Sequence, residues 1–184
     1  NGSGQLGDGG TASSRNYSSR VKGITTAVDV STSSYGHTCA VLADGTAKCW
    51  GDNGSGRLGD GTSTRRTEPV TVTGLEGATQ ITVGSNHSCA RLSNGTLKCW
   101  GYNGQGQLGN GNTSERRTPV AVNTLTGVAE VGAGSEHSCA LKADGTVWCW
   151  GRDTARNYGS NPFQIAGLAN VTSLAVGYNH SCAR

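Results

Sequence analysis

The chain has 184 residues, 34% of them hydrophobic, with thirty glycines, one phenylalanine, no methionine and a formal net charge of +3. So thin an apolar supply argues against one large core and long helices, and favours many short, regularly turned strands. The charge is too small to build a nucleic-acid-binding face, and no run of about 18 apolar residues is present to span a membrane.

Taken in chain order, the opening Asn1-Gly-Ser-Gly-Gln-Leu-Gly returns as Asn53-Gly-Ser-Gly-Arg-Leu-Gly and Asn103-Gly-Gln-Gly-Gln-Leu-Gly. Recurrence at this period marks an array, in which each unit packs on its neighbours. Residues 12–36 depart from the pattern: Arg20-Val21 stands where Pro-Val is expected, and Ser34 aligns with Gly84 and Gly134. His37-Thr-Cys-Ala then recurs at His87, His137 and His180 as His-Ser-Cys-Ala, while Cys-Trp-Gly ends at Gly51, Gly101 and Gly151. The repeat segments are therefore 1–51, 52–101, 102–151 and an incomplete 152–184, forming one domain over 1–184.

Each cysteine pair (Cys39 and Cys49, Cys89 and Cys99, Cys139 and Cys149) brackets two short apolar segments around Ala43-Asp-Gly, Ser93-Asn-Gly or Ala143-Asp-Gly. Asp-Gly and Asn-Gly are hairpin signals, and side-chain parity chooses the loop. A two-residue loop puts the paired sulfurs on opposite faces of the ribbon, whereas a three-residue loop sets Cys39 directly across from Cys49. The cysteines thus predict three-residue loops and three intra-hairpin disulfides, as in an oxidising compartment outside the cell or in a periplasm. Cys182 is left over and is read as half of a fourth such pair.

Pro69-Val-Thr-Val and Pro119-Val-Ala-Val read as edge strands, because proline at a strand start removes a donor that an edge does not use. Ile81-Thr-Val-Gly, Val131-Gly-Ala-Gly and Leu174-Ala-Val-Gly read as a further strand. Four short strands per unit of about fifty residues is the blade of an all-β propeller, here a partial propeller of three to four blades. The fragmentary fourth unit leads us to expect that closure needs further blades of the same chain or a second copy.

The ordered pattern Gly-x-x-His-Ser-Cys-Ala, Asp-Gly-Thr, Cys-Trp-Gly, Asn-Gly-x-Gly-Gln-Leu-Gly and Pro-Val resembles the regulator of chromosome condensation repeat family. The resemblance implies a propeller, usually of seven blades, that serves as a protein-binding platform. The cysteines are similar to those of secreted members and argue against the nucleotide-exchange activity of the nuclear one.

Other motifs carry less. Gly54-x-Gly56-x-x-Gly59 and its equivalents match a dinucleotide fingerprint, but Asp-Gly-Thr-Ser-Thr follows where that fingerprint needs a helix, so no cofactor is expected. The histidines share a face with the cysteines, yet no fourth ligand recurs at a fixed offset; neither a metal site nor a catalytic constellation is expected. Trp50, Trp100 and Trp150 recur in register and read as blade packing. Trp148 replaces Lys48 and Lys98, points away from Cys149, and is a candidate either for an exposed anchor or for burial against the fourth unit. Arg65, Arg66, Arg116 and Arg117, with Arg15 and Arg20 in the first unit and Arg152 and Arg156 in the individual loop 152–161, would share a rim as a basic arc facing another protein or an acidic surface. The leading expectation is a non-enzymatic, extracellular or cell-surface binding module; a secreted enzyme inhibitor and a structural component of a larger surface protein are the alternatives.

Overall fold

The structure, a computed structural model, describes residues 1–12 and 18–184, and Arg15 lies outside them. The described residues contain no helix. The first sheet runs β1 (Ala27–Thr32), β2 (His37–Leu42), β3 (Ala47–Gly51) and β4 (Arg66–Thr71) in that order. The second repeats it with β5 (Ala78–Val83), β6 (His87–Leu92), β7 (Leu97–Gly101) and β8 (Arg116–Ala121). The third consists of β9 (Val128–Ala133), β10 (His137–Lys142), β11 (Val147–Arg152) and β12 (Asn157–Gln164). A two-stranded piece, β13 (Leu174–Val176) with β14 (Ser181–Ala183), follows. All pairings are antiparallel, and the sheets do not close into a ring, so the propeller is partial.

The central hairpins have the three-residue loops that parity requires. The Gly45 N–H donates to the Leu42 carbonyl at 2.9 Å, and Gly45 has φ +79°, the left-handed conformation that glycine adopts without a Cβ clash. Asp44 Oδ1 accepts from the Thr46 N–H at 2.9 Å and from its hydroxyl at 2.7 Å, which explains Asp-Gly-Thr as a unit. Cys39 therefore faces Cys49, and disulfides join Cys39–Cys49, Cys89–Cys99 and Cys139–Cys149, each with Cα atoms 4.1 Å apart.

The core lies between sheets. One cluster joins Cys39, Val41, Ala47 and Cys49 of the first sheet to Ile81, Val83, Ala90 and Trp100 of the second, with Leu58 and Leu75 from connecting loops. A second repeats it with Cys89, Leu97 and Cys99 against Val131, Ala140 and Trp150. Each hairpin thus presents its disulfide to the next sheet, and Trp100 and Trp150 project back onto the preceding one. In the first sheet the N-terminal segment takes the place of a preceding sheet, with Thr38 Oγ1 and Trp50 Nε1 donating to the Gln5 carbonyl at 3.0 and 2.8 Å, and β2 is buried along its whole length. The strand edges at the axis are stitched by side chains: the Ile81 N–H donates to Asp29 Oδ2 at 2.8 Å, Val131 N–H to Gln80 Oε1 at 3.1 Å, and Leu174 N–H to Glu130 Oε2 at 3.0 Å. These contacts satisfy first-strand donors that have no ladder partner on that side.

One expected alignment is corrected. The turn before β2 is a residue longer than its counterparts, because the Ser33 N–H bonds the His37 carbonyl whereas Gly84 and Gly134 bond His87 and His137. Ser33, not Ser34, is the counterpart of Gly84. Its hydroxyl lies 2.9 Å from His37 Nδ1, while Nδ1 of His87 and His137 is buried without a partner.

Candidate functional site

The His-Ser-Cys-Ala segments are interblade clamps. His37 Nε2 lies 3.1 Å from Ser88 Oγ, and Ser88 Oγ donates to the Arg57 carbonyl at 2.9 Å; Trp100 Nε1 donates to the same oxygen at 2.9 Å. His87, Ser138, Gln107 and Trp150 repeat this at 2.8, 3.0 and 2.8 Å. A serine hydroxyl has one proton, so the imidazole Nε2 must donate to it, which assigns the Nε2–H tautomer. In that tautomer the histidine is not a base for the serine. The histidines thus reach the neighbouring loop through the serine of the adjacent sheet.

Burial holds His37 and His87 at about 3, far below the ordinary 6.5, with Arg57 the next contributor for His37 and His137 for His87. Because the folded values are depressed, the stability from burying neutral imidazoles is complete above pH 6.5 and is lost as pH falls towards 3. Thermal melts are expected to show a falling midpoint from pH 6.5 to 4, and a His37→Gln, His87→Gln variant is expected to flatten that slope.

With these segments committed to assembly, the loops carry the free chemistry. His37 pairs with Gly51 and Gly51 with Arg66, so the turn 33–36 and the loop 52–65 emerge at the same end of the first sheet. The second sheet places 84–86 and 102–115 there, and the third 134–136 and 153–156. The hairpins 43–45, 93–95 and 143–145 lie at the opposite end. The loop-bearing end opens on the axis between Ser33, Ser85, Gly134, Gly177 and Tyr178.

The arginines reach this end but are not equivalent. Arg66 is corrected from rim to brace: it is half-buried, with Nη2 2.8 Å and Nε 2.9 Å from the Asp60 carboxylate. Asn110 stands in the place of Asp60, so Arg116 has no such acid and is exposed. Arg65 is exposed and donates to the Gly2 carbonyl at 2.9 Å; Arg117 is exposed, 3.5 Å from Glu115. Arg156 lies 4.3 Å from the centre of the Phe163 ring and 5.7 Å from that of Tyr158, which orders the individual loop. Burial, and then the hydrogen bond it donates to Asp153, push the Tyr158 hydroxyl up to about 12. Among the described residues, the Arg116 and Arg152 side chains have no hydrogen bond or ion pair.

Trp148 is also corrected. It does point away from Cys149, but its indole is half-buried against the core between the second and third sheets, with Nε1 3.1 Å from Thr146 Oγ1. Its backbone pairs with Gln164 of the fourth unit, while its indole packs on that core, so it is not a free anchor. Cys182 is a free, exposed thiol. Sequence reasoning missed Arg57, a buried cation that is 3.0 Å from Asp52 and donates to the Ser85 carbonyl at 3.2 Å. A signal did exist: Asp52 accompanies Arg57 where Tyr102 accompanies Gln107.

The profile of the regulator of chromosome condensation (RCC1) repeat matches residues 44–91 and 94–141, and a second profile of the same repeat matches 27–57, 78–107 and 128–159. Human WBSCR16 is similar in structure, with a TM-score of 0.86 and 19% identity over 99% of this chain and 52% of that one. Prp20p from Saccharomyces cerevisiae, whose structure is described with its binding properties to Gsp1p and histones, gives 0.69 and 22% over 80% of this chain and 41% of that one. The ectodomain of the Physcomitrella patens receptor kinase CR4 gives 0.53 and 25% over 80% of this chain and 35% of that one. The chain spans about half or less of the length of these proteins. No curated protein matches it in sequence.

Proposed function

The chain belongs to the regulator of chromosome condensation (RCC1) repeat family, and from that premise we propose that it is a non-enzymatic, extracellular binding module whose loop-bearing end engages an acidic protein surface. Propellers of this repeat commonly mediate protein–protein interaction. The observation that carries the reading is the gathering of exposed Arg65, on a loop, and Arg116, Arg117 and Arg152, on the strand ends beside the loops, at one end of three interlocked sheets. A rigid scaffold that holds variable loops is the usual arrangement for recognition, and a rim rich in exposed arginine steers an acidic partner. The three disulfides support a location outside the reducing cytosol. So does the likeness to a receptor-kinase ectodomain.

The test is capture from secreted proteins of the source organism, comparing the wild type with an Arg65→Ala, Arg116→Ala, Arg117→Ala, Arg152→Ala variant and with a Lys98→Ala, Lys142→Ala variant near the opposite end. The arginine variant is expected to bind the partner severalfold more weakly and with a shallower salt dependence, the lysine variant to bind as the wild type does. Each exposed substitution is expected to change stability by no more than roughly 0.5 kcal/mol. Arg66 is left out because it braces Asp60. Equal binding by all three proteins at every salt concentration would sink the proposal.

A further inference from the structure

Two tyrosines from opposite ends of the chain meet at the loop-bearing end, and neither belongs to the repeat pattern or the basic rim. Tyr35 sits on the lengthened turn between β1 and β2, and Tyr178 on the turn between β13 and β14. Their hydroxyl oxygens are 2.8 Å apart, the ring centroids 6.1 Å apart, and the ring planes 12° from parallel. Both side chains are open to solvent, at 47% and 49% exposure. A hydroxyl-to-hydroxyl hydrogen bond between near-parallel rings sets the carbons ortho to one hydroxyl beside those of the other.

We propose that Tyr35 and Tyr178 form a site of oxidative dityrosine cross-linking, with hydrogen peroxide and a haem peroxidase as the oxidant. Each phenol gives up one electron and its hydroxyl proton to become a phenoxyl radical, and the peroxide takes both electrons and both protons to become two waters. The two radicals join by a carbon–carbon bond between ortho carbons. The hydrogens on those carbons then move to the oxygens and restore two phenols, so the chain loses two hydrogens in all.

Separate phenoxyl radicals have to find one another by diffusion, whereas these rings are already in contact, and holding reactants together makes such a step effectively unimolecular. The other described tyrosines differ. Tyr102 is half-buried with no tyrosine ring beside it among the described residues, and Tyr158 is half-buried and donates to Asp153 at 2.8 Å. Both partners lie on turns, which can close the remaining gap without moving a core strand. The bond ties the first sheet to the fourth across 143 residues of sequence, over the axial opening lined by Ser33, Ser85, Gly134 and Gly177. It does not depend on which partner the arginine rim binds.

The test treats the oxidised, disulfide-intact chain with a haem peroxidase and limiting hydrogen peroxide, then reads dityrosine fluorescence, intact mass and cross-linked tryptic peptides. The expected product is a monomer lighter by two hydrogens, in which the peptide containing Tyr35 is joined to that containing Tyr178, with a raised thermal midpoint. Tyr35→Phe and Tyr178→Phe are each expected to remove most of the signal, and Tyr102→Phe to leave it intact; disulfide mapping of each variant verifies its fold. Absence of dityrosine at a dose that couples free tyrosine, an undiminished yield in Tyr35→Phe, or coupling only between chains would overturn the proposal.

Discussion

Replacing Trp100 by alanine is expected to lower the unfolding free energy by about 3 to 5 kcal/mol, the range for deleting a large buried aromatic side chain. Trp100 has 0% exposure and packs among Leu58, Val72, Ile81 and the Cys39–Cys49 pair, so its loss opens a cavity walled by two sheets and a loop. The loss is also chemical, because Trp100 Nε1 supplies one of the two hydrogen bonds that hold the Arg57 carbonyl. Trp148→Ala, at a half-buried indole with a local Thr146 partner, is expected to cost less than half as much. Urea unfolding of the two variants beside the wild type measures both. Equal costs would mean that the recurring tryptophan is not the interblade wedge described above.

Gly84→Ala is expected to destabilise by about 3 kcal/mol or more, the upper part of the range for overpacking. The reason is space, since a Cβ there would overlap the Gly134 carbonyl oxygen of the next sheet and Cε1 of His87. Backbone atoms wall this position, and the His87 ring is fixed by Ser138 at 2.8 Å, so neither neighbour can retreat. Gly54→Ala, whose Cβ would meet nothing nearer than the Arg57 guanidinium at 3.5 Å, is the matched control and is expected to stay within about 0.5 kcal/mol. Thermal midpoints of the pair test this; a Gly84→Ala protein as stable as Gly54→Ala would contradict the packing described for the axial turns.

The fold was legible because period, parity and turn chemistry act locally. Asp44-Gly45-Thr46 specifies its loop within three residues, and the facing of Cys39 and Cys49 follows from counting. The site was less legible because its decisive contacts lie between units. Nothing within His87-Ser-Cys-Ala reveals that the imidazole reaches Ser138, 51 residues away, nor that Ser138 passes the contact to the Gln107 carbonyl. The arginine rim was visible as repeated pairs, but treating Arg66 and Arg116 as alike overlooked Asp60 against Asn110, a one-residue difference that turns a brace into a free cation. The extra residue before His37 was missed because the irregular first unit offers no Gly84-like marker. That residue lengthens the turn bearing Tyr35, which only the folded chain brings to Tyr178.

Hydrogen exchange of the chain with and without its captured partner tests the central claim most directly, because it reports where along the backbone the partner sits. Protection is predicted in the loops 52–65 and 102–115 and in the turns 84–86, 134–136 and 153–156, with the hairpins 43–45, 93–95 and 143–145 unchanged. Protection confined to those hairpins, or spread evenly over both ends, would contradict a binding face built from the loop-bearing end.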